Sequence, residues 1–263
     1  MGLRKAIKHR LYQRYFQREL HAAIARRRWP DLEPSFWPLH DACKPFTLTS
    51  TERLYTLYKA VGYVVSRNVP GDFVECGVWR GGSVMMMALT LQHLGTTRRL
   101  WCFDTFEGMP APTDADIRHT SGEKAAAILA RTEKQKQSDH TWAVAGVEEV
   151  QRNVASTGYP SALVHLERGR VEETIPGAAP AQIALLRLDT DWYESTRHEL
   201  QHLYPRVSAH GVLIVDDYGF WRGARKAVDE YFEGIKVAPF LTRIDDTGRI
   251  AIKPNPCGTT SHS

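Results

Sequence analysis

No apolar run in this sequence approaches about 18 residues, so no segment reads as a transmembrane helix. The N-terminus is charged and lacks the apolar centre of a signal peptide, so the protein is expected not to be exported. Cysteine is scarce: Cys43, Cys76, Cys102 and Cys257 stand far apart and form no C-x-x-C pair. That spacing argues against a zinc site or a disulfide framework and fits a reducing cytoplasm. No internal repeat is visible, and the G-x-G-x-x-G loop of a dinucleotide fold is missing. What is present is 263 residues, 43% of them hydrophobic, enough for one sizeable core with additions.

The net charge of +4 conceals an asymmetry. Residues 1–28 carry nine Lys or Arg against Glu19 alone, about +8, which leaves about −4 on the remainder. Leu3, Ile7, Leu11 and Tyr15 recur every four residues, with Leu20 and Ile24 beyond, as in a basic amphipathic helix. Such a helix packs on the body or on another subunit, or binds an anionic membrane surface or an acidic partner, with nucleic acid the least favoured reading. A connector rich in proline and tryptophan follows, so residues 1–48 read as an extension to the main domain.

Residues 49–253 read as that domain. "TSTERLYTLYKAVGYVVSRN" is a helix, with Thr49 and Glu52 fitting a capping box. Short, almost wholly apolar strands then alternate with helical segments: "DFVECGV", "RLWCFDTF", "ALVHLERG", "IALLRLDT" and "GVLIVDDY", with two edge strands expected within 236–253. Such strands form a mostly parallel sheet covered by helices on both faces, an α/β fold of Rossmann-like type. Residues 111–145 interrupt the rhythm with a polar insertion that reads as a lid, and residues 254–263 read as a disordered tail.

Ligands on such sheets lie beyond the carboxyl ends of the strands. There the first strand offers "ECGVWRGGS", whose glycines allow a tight turn and close approach to a ligand. Glu75 would repel a pyrophosphate and tolerate a cationic cofactor. The second strand ends in Asp104, either the partner of a ribose diol or a turn-capping acid. The fourth ends in "LDTDWYEST" and the fifth in "VDDYG", so Asp189, Asp216 and Asp217 converge on one rim. Three carboxylates without a zinc-type ligand favour a hard cation, Mg²⁺ first, then Mn²⁺ or Ca²⁺. A polar turn is the other reading of Asp216–Asp217.

"VPGDFVECGVWRGGSVMMMA", "FDTFEGMP", "LRLDTDWYESTRHELQHLYPRVSAHGVLIVDDYG" and "ARKAVDEYF" together resemble the macrocin O-methyltransferase family. The resemblance runs from about Thr49 to about Tyr231. It implies a class I methyltransferase fold with a seven-stranded sheet of order 3-2-1-4-5-7-6. It also implies an S-adenosylmethionine-dependent, Mg²⁺- or Mn²⁺-dependent transfer to a hydroxyl of a sugar or glycosylated small molecule, and a homo-oligomer. On the resemblance, Glu75, Gly77, Trp79, Gly81 and Ser83 would hold the methionine part of the cofactor and Asp104 the ribose. Val171 and Glu172 would reach the adenine. Asp189, Asp216 and Asp217 would hold the metal, and Asp191 would act with Asp189 in catalysis as general base. Thr190 and Trp192 depart from the family's usual residues, which bears on the shape of the acceptor pocket. His198 and His202 are alternative bases on the following helix. Two competing readings are a nicotinamide oxidoreductase, which lacks its phosphate loop here, and a non-catalytic adaptor, which gives the acids no purpose.

Overall fold

A computed structural model describes residues 27–132, 134, 140–236 and 239–255. Most of the expected basic helix, part of the 111–145 insertion and the end of the tail lie outside these residues. The chain divides into two compact units, residues 1–38 and 39–263. Within the first, the Trp29 and Trp37 ring centroids lie 6.5 Å apart, and the Arg28 guanidinium lies 5.0 Å from the Trp29 centroid. Helix α1 (Phe36–Cys43) follows.

In the second unit, α2 (Thr51–Ser66) leads into β1 (Asp72–Cys76), α3 (Gly82–His93) and β2 (Leu100–Asp104). After α4 (Ala125–Ala130) and α5 (Val147–Ala155) come β3 (Val164–Arg168), α6 (Val171–Thr174) and β4 (Ile183–Leu188). Helix α7 (Tyr193–Leu203), β5 (Val207–Val215), α8 (Arg222–Gly234), β6 (Thr242–Arg243) and β7 (Arg249–Ile252) complete it. The seven strands lie in the order β3-β2-β1-β4-β5-β7-β6, with β7 antiparallel to β5 and β6 antiparallel to β7. This is the expected order. Every residue of β4 is buried, as a central parallel strand requires.

The register positions the site. Cys76 pairs with Phe103 and with Leu188, and Leu188 pairs with Val215. The ladder continues one step past these residues: Gly77 N–H donates to Phe103 O (2.9 Å), Asp189 N–H to Cys76 O (2.8 Å) and Asp216 N–H to Leu188 O (2.9 Å). Gly77, Asp104, Asp189 and Asp216 therefore emerge along one rim. The start of α2 corrects the expected cap. Ser50, not Thr49, accepts from the N–H of Arg53 (3.1 Å), because the Thr49 hydroxyl is taken by Arg187 (3.1 Å).

Gly77 has φ +80°, and a Cβ there would overlap the carbonyl oxygen of Asp189. The turn after β1 is thus pressed against the end of β4 so closely that only glycine fits. Gly77→Ala combines left-handed strain with overpacking and should cost about 2–4 kcal/mol. Urea denaturation checks this, with loss of cofactor-product binding expected alongside.

Candidate active site

The buried centre of the rim is Arg187, on β4 and 2% exposed. A lone guanidinium there would be prohibitively costly, and its surroundings answer the cost. Its Nη1 pairs with Glu75 of β1 and donates to Asp189 Oδ2 (2.7 Å). Its Nη2 donates to Asp216 Oδ1 (2.5 Å) and to Thr49. The second oxygen of Asp216 pairs with Arg53, which also donates to Asp245 Oδ2 (2.9 Å) in the β6–β7 turn. The counter-charges of Asp216 are therefore two arginines, where the sequence reading weighed a divalent cation against a polar turn.

The arginines do not exhaust the acids. Glu75, Asp189, Asp191, Asp216 and Asp217 cluster around Arg187 and Arg53, so carboxyl groups outnumber guanidiniums. Burial pushes the Glu75 carboxyl up to about 7 against the pull of Arg187. Burial likewise raises Asp189, with Arg187 opposing it, and raises Asp217, with neighbouring acids adding to the effect. Asp191 is pushed up to about 7, by burial first, while a hydrogen bond from Trp221 Nε1 to its Oδ1 (2.7 Å) pulls the other way. Glu75 Oε2 and Asp217 Oδ2 are buried without a hydrogen-bond partner.

These groups open into a cavity of about 480 Å³. Glu75, Gly77, Trp79, Ser83, Asp104, Val171, Glu172, Asp189, Asp191, Asp216 and Asp217 all line it. Gly81 does not; its left-handed backbone (φ +89°) instead precedes α3, where a Cβ would meet Val150 and Val154 of α5. Asp104 accepts from the N–H groups of Val78 (2.7 Å), Trp79 (3.0 Å) and Phe106 (2.7 Å). It thus caps the glycine turn, and of its about four acceptor sites the last is met only by a long contact from Thr105 Oγ1 (3.5 Å), which a ribose hydroxyl can replace. His198 and His202 line no part of the cavity; His198 Nε2 meets the Ile175 carbonyl (2.9 Å).

The far wall is aromatic. Trp192 and Trp221 meet edge to face with centroids 5.0 Å apart, and Trp192 Nε1 donates to Pro110 O (3.0 Å). Phe220, Met109, Ile128 and Leu129 extend the wall, so the 111–145 insertion contributes directly to the pocket. Sequence reasoning missed Arg187, Arg53, Trp221 and Arg118. Arg187 left one signal, a single charge inside the otherwise apolar "IALLRL".

The residues fit the groups that the fold implies. Asp189, Asp216 and Asp217 bring one oxygen each within 4.8 Å of one another, an all-oxygen donor set with surplus negative charge. The orphaned Glu75 oxygen and the glycine turn fit a cationic cofactor lying close to the backbone.

A sheet in this order, with a glycine turn after β1 and acids at the ends of β2, β4 and β5, defines a class I methyltransferase. The chain belongs to the macrocin O-methyltransferase family, whose model, Macrocin-O-methyltransferase (TylF), matches residues 8–251. It is accordingly an S-adenosylmethionine-dependent O-methyltransferase. A similar relative is the 8-demethyl-8-(2,3-dimethoxy-alpha-L-rhamnosyl)-tetracenomycin-C 4'-O-methyltransferase of Streptomyces olivaceus. It is 35% identical over 225 residues, covering 83% of this chain and 80% of the relative. The demethyldecarbamoylnovobiocin O-methyltransferase of Streptomyces niveus is 35% identical over 213 residues, covering 81% and 76%. Among solved structures, that of the O-methyltransferase NovP aligns with a TM-score of 0.68 at 34% identity, covering 80% of this chain and 83% of that one.

Arg187→Met removes the counter-ion of three carboxylates at once. The loss expected for a broken buried pair, about 3–5 kcal/mol, should appear in urea unfolding at neutral pH.

Proposed function

We propose that the protein methylates a hydroxyl of a sugar on a glycosylated natural product, with Mg²⁺ held by Asp189, Asp216 and Asp217. The observation that carries this reading is the carboxylate trio beside Asp191 at the aromatic end of the cavity. Support for the acceptor class comes from the relatives' names, which describe a rhamnosyl-tetracenomycin, a novobiocin precursor and, at 32% identity, mycinamicin III.

A sugar hydroxyl is a poor nucleophile at neutral pH, while the methyl group of the cofactor is already activated. The protein must therefore align the two and remove a proton. A bound divalent cation would supply Lewis acidity, favouring the ionised form of the hydroxyl. Asp191 takes the proton. Its backbone is left-handed (φ +65°), directly after the end of β4, and Trp221 holds one of its two oxygens. The other oxygen is left for the acceptor. Glu75 sits at the foot of the glycine turn, where the positive cofactor binds. Trp192 and Trp221 form an apolar wall for a sugar ring and exclude water from the reacting oxygen. Asp104 holds the turn of residues 78 and 79 and shares its remaining acceptor sites with the ribose. Val171 and Glu172 lie at the start of α6, where the adenine would end.

Among the described residues no helix is long and apolar enough to cross a membrane. A cytoplasmic location, and a role for residues 1–28 on an anionic surface or a second subunit, are parts of the proposal that rest on charge and composition.

Asp191→Asn should lower kcat by about a hundredfold or more while leaving S-adenosylhomocysteine affinity unchanged. Asp217→Asn should abolish the stimulation by Mg²⁺. Transfer to 6-deoxyhexosyl glycosides, measured with labelled cofactor in chelator and in added Mg²⁺, checks both. Full chelator-resistant activity in the parent enzyme would rule out the metal.

A further inference from the structure

Among the described residues three arginines line the cavity, and two of them are already paired with carboxylates. Arg53 pairs with Asp216 and Asp245, and Arg170 pairs with Glu172. Arg118 forms no ion pair with the described residues, and its Nε is buried without a hydrogen-bond partner. Glu123 lies within electrostatic reach of Arg118 but makes no ion pair with it, because Arg131 holds both oxygens of that carboxylate, Oε2 at 2.8 Å. The guanidinium instead lies over the aromatic wall, 5.2 Å from the Phe220 centroid and 5.5 Å from that of Trp221. The same Trp221 ring donates to Asp191, so Arg118 stands one indole away from the proposed base.

Its placement is built into the backbone. Arg118 N–H donates to Glu123 O (2.9 Å) and closes a turn with Gly122 N–H (2.9 Å). On either side, His119 N–H donates to Phe220 O and Arg222 N–H to Ile117 O, both at 2.9 Å. The turn is anchored by the fully buried Asp116, which accepts from Thr113 N–H (2.6 Å) and from Tyr193 N–H (2.8 Å) at the start of α7. A guanidinium fixed this way, half desolvated and with no carboxylate in direct contact, is organised for a ligand that brings one. The planar fork suits an oxyanion that accepts two N–H groups.

We propose that Arg118 is an anion-binding element of the acceptor pocket, so that the preferred acceptor carries a phosphate or a carboxylate close to the sugar hydroxyl that is methylated. The inference rests on the sugar-hydroxyl reading given above and narrows it. The anion has two chemical sources. One is the diphosphate of a nucleotide-linked sugar, and the other is the carboxylate of an acidic glycoside.

The test is calorimetry on the S-adenosylhomocysteine-loaded protein and on its Arg118→Gln and Arg118→Lys variants. The probes are a nucleoside diphosphate, a hexuronic acid glycoside and a neutral 6-deoxyhexoside. The parent should bind at least one anionic probe about tenfold or more tighter than the neutral sugar, as a charge-assisted pair predicts. Arg118→Gln should erase that preference, Arg118→Lys should keep part of it, and S-adenosylhomocysteine should bind all three proteins within about twofold. That last result also shows that the variants are folded. Preference for the diphosphate alone or for the uronic acid alone identifies the source. Equal binding of charged and neutral probes by the parent overturns the proposal, as does an anion preference that survives Arg118→Gln. Loss of S-adenosylhomocysteine binding in Arg118→Gln, with no change among the acceptor probes, also overturns it and assigns Arg118 to the cofactor. A parent protein that binds no S-adenosylhomocysteine would instead overturn the methyltransferase reading itself.

Discussion

The buried guanidinium of Arg187 is the interaction on which the site depends. It lies in register with Glu75 on β1 and reaches Asp189 and Asp216, which follow directly on β4 and β5. Hydrophobic burial alone would hold these strands together, yet it has no means of fixing the angle at which their acidic ends leave the sheet. The ion pairs do so. Through Thr49 the same group reaches the segment before α2, and Arg53 carries the network from Asp216 to the β6–β7 turn. Five separate parts of the chain, β1, β4, β5, the start of α2 and the β6–β7 turn, are thereby tied to one rim. Each ion costs several kcal/mol to desolvate, so the network holds only while every member is paired.

The network is also unbalanced, and function follows from the imbalance. Two guanidiniums lie among six carboxyl groups, the Asp245 partner of Arg53 included, and the excess is met by protonation or by a bound cation. Asp217 and Glu75 each keep a buried oxygen without a protein partner, at opposite roles in the proposed chemistry: one toward the metal, the other toward the cationic cofactor. A fold that needed only stability would be served as well by apolar residues at these positions. The cavity thus grades from an acidic floor to a tryptophan wall, and beyond the wall to the unneutralised Arg118.

Much of this was legible in the sequence because β4, Arg187 apart, and the end of β5 are apolar to their last residue and an acid follows each directly. Asp189 and the Asp216–Asp217 pair stand at those junctions, and a parallel sheet brings such junctions together whatever the loops do. The arginines were not legible for the opposite reason. Arg53 is 163 positions from its partner Asp216, and Arg187 points sideways within a strand whose pattern shows only that it is buried. The helix cap failed on tertiary grounds, since Thr49 and Ser50 are both competent caps and Arg187 claims the first. Asp104 shows a subtler limit. Ribose binding and turn capping were competing readings, and folding the glycine turn over β2 makes them compatible. Trp192 and Trp221 became a wall only when the loops after β4 and β5 came together.

The acidic rim remains short of positive charge after Arg187 and Arg53 are counted, and in the proposed function one divalent ion completes it. Electron paramagnetic resonance of Mn²⁺ titrated into the protein, with S-adenosylhomocysteine present, tests it most directly. One tightly held ion per chain is expected, lost in Asp217→Asn and retained in Asp104→Asn. Absence of a tight ion, or equal binding by both variants, would contradict it and leave the arginines as the only cations the rim requires.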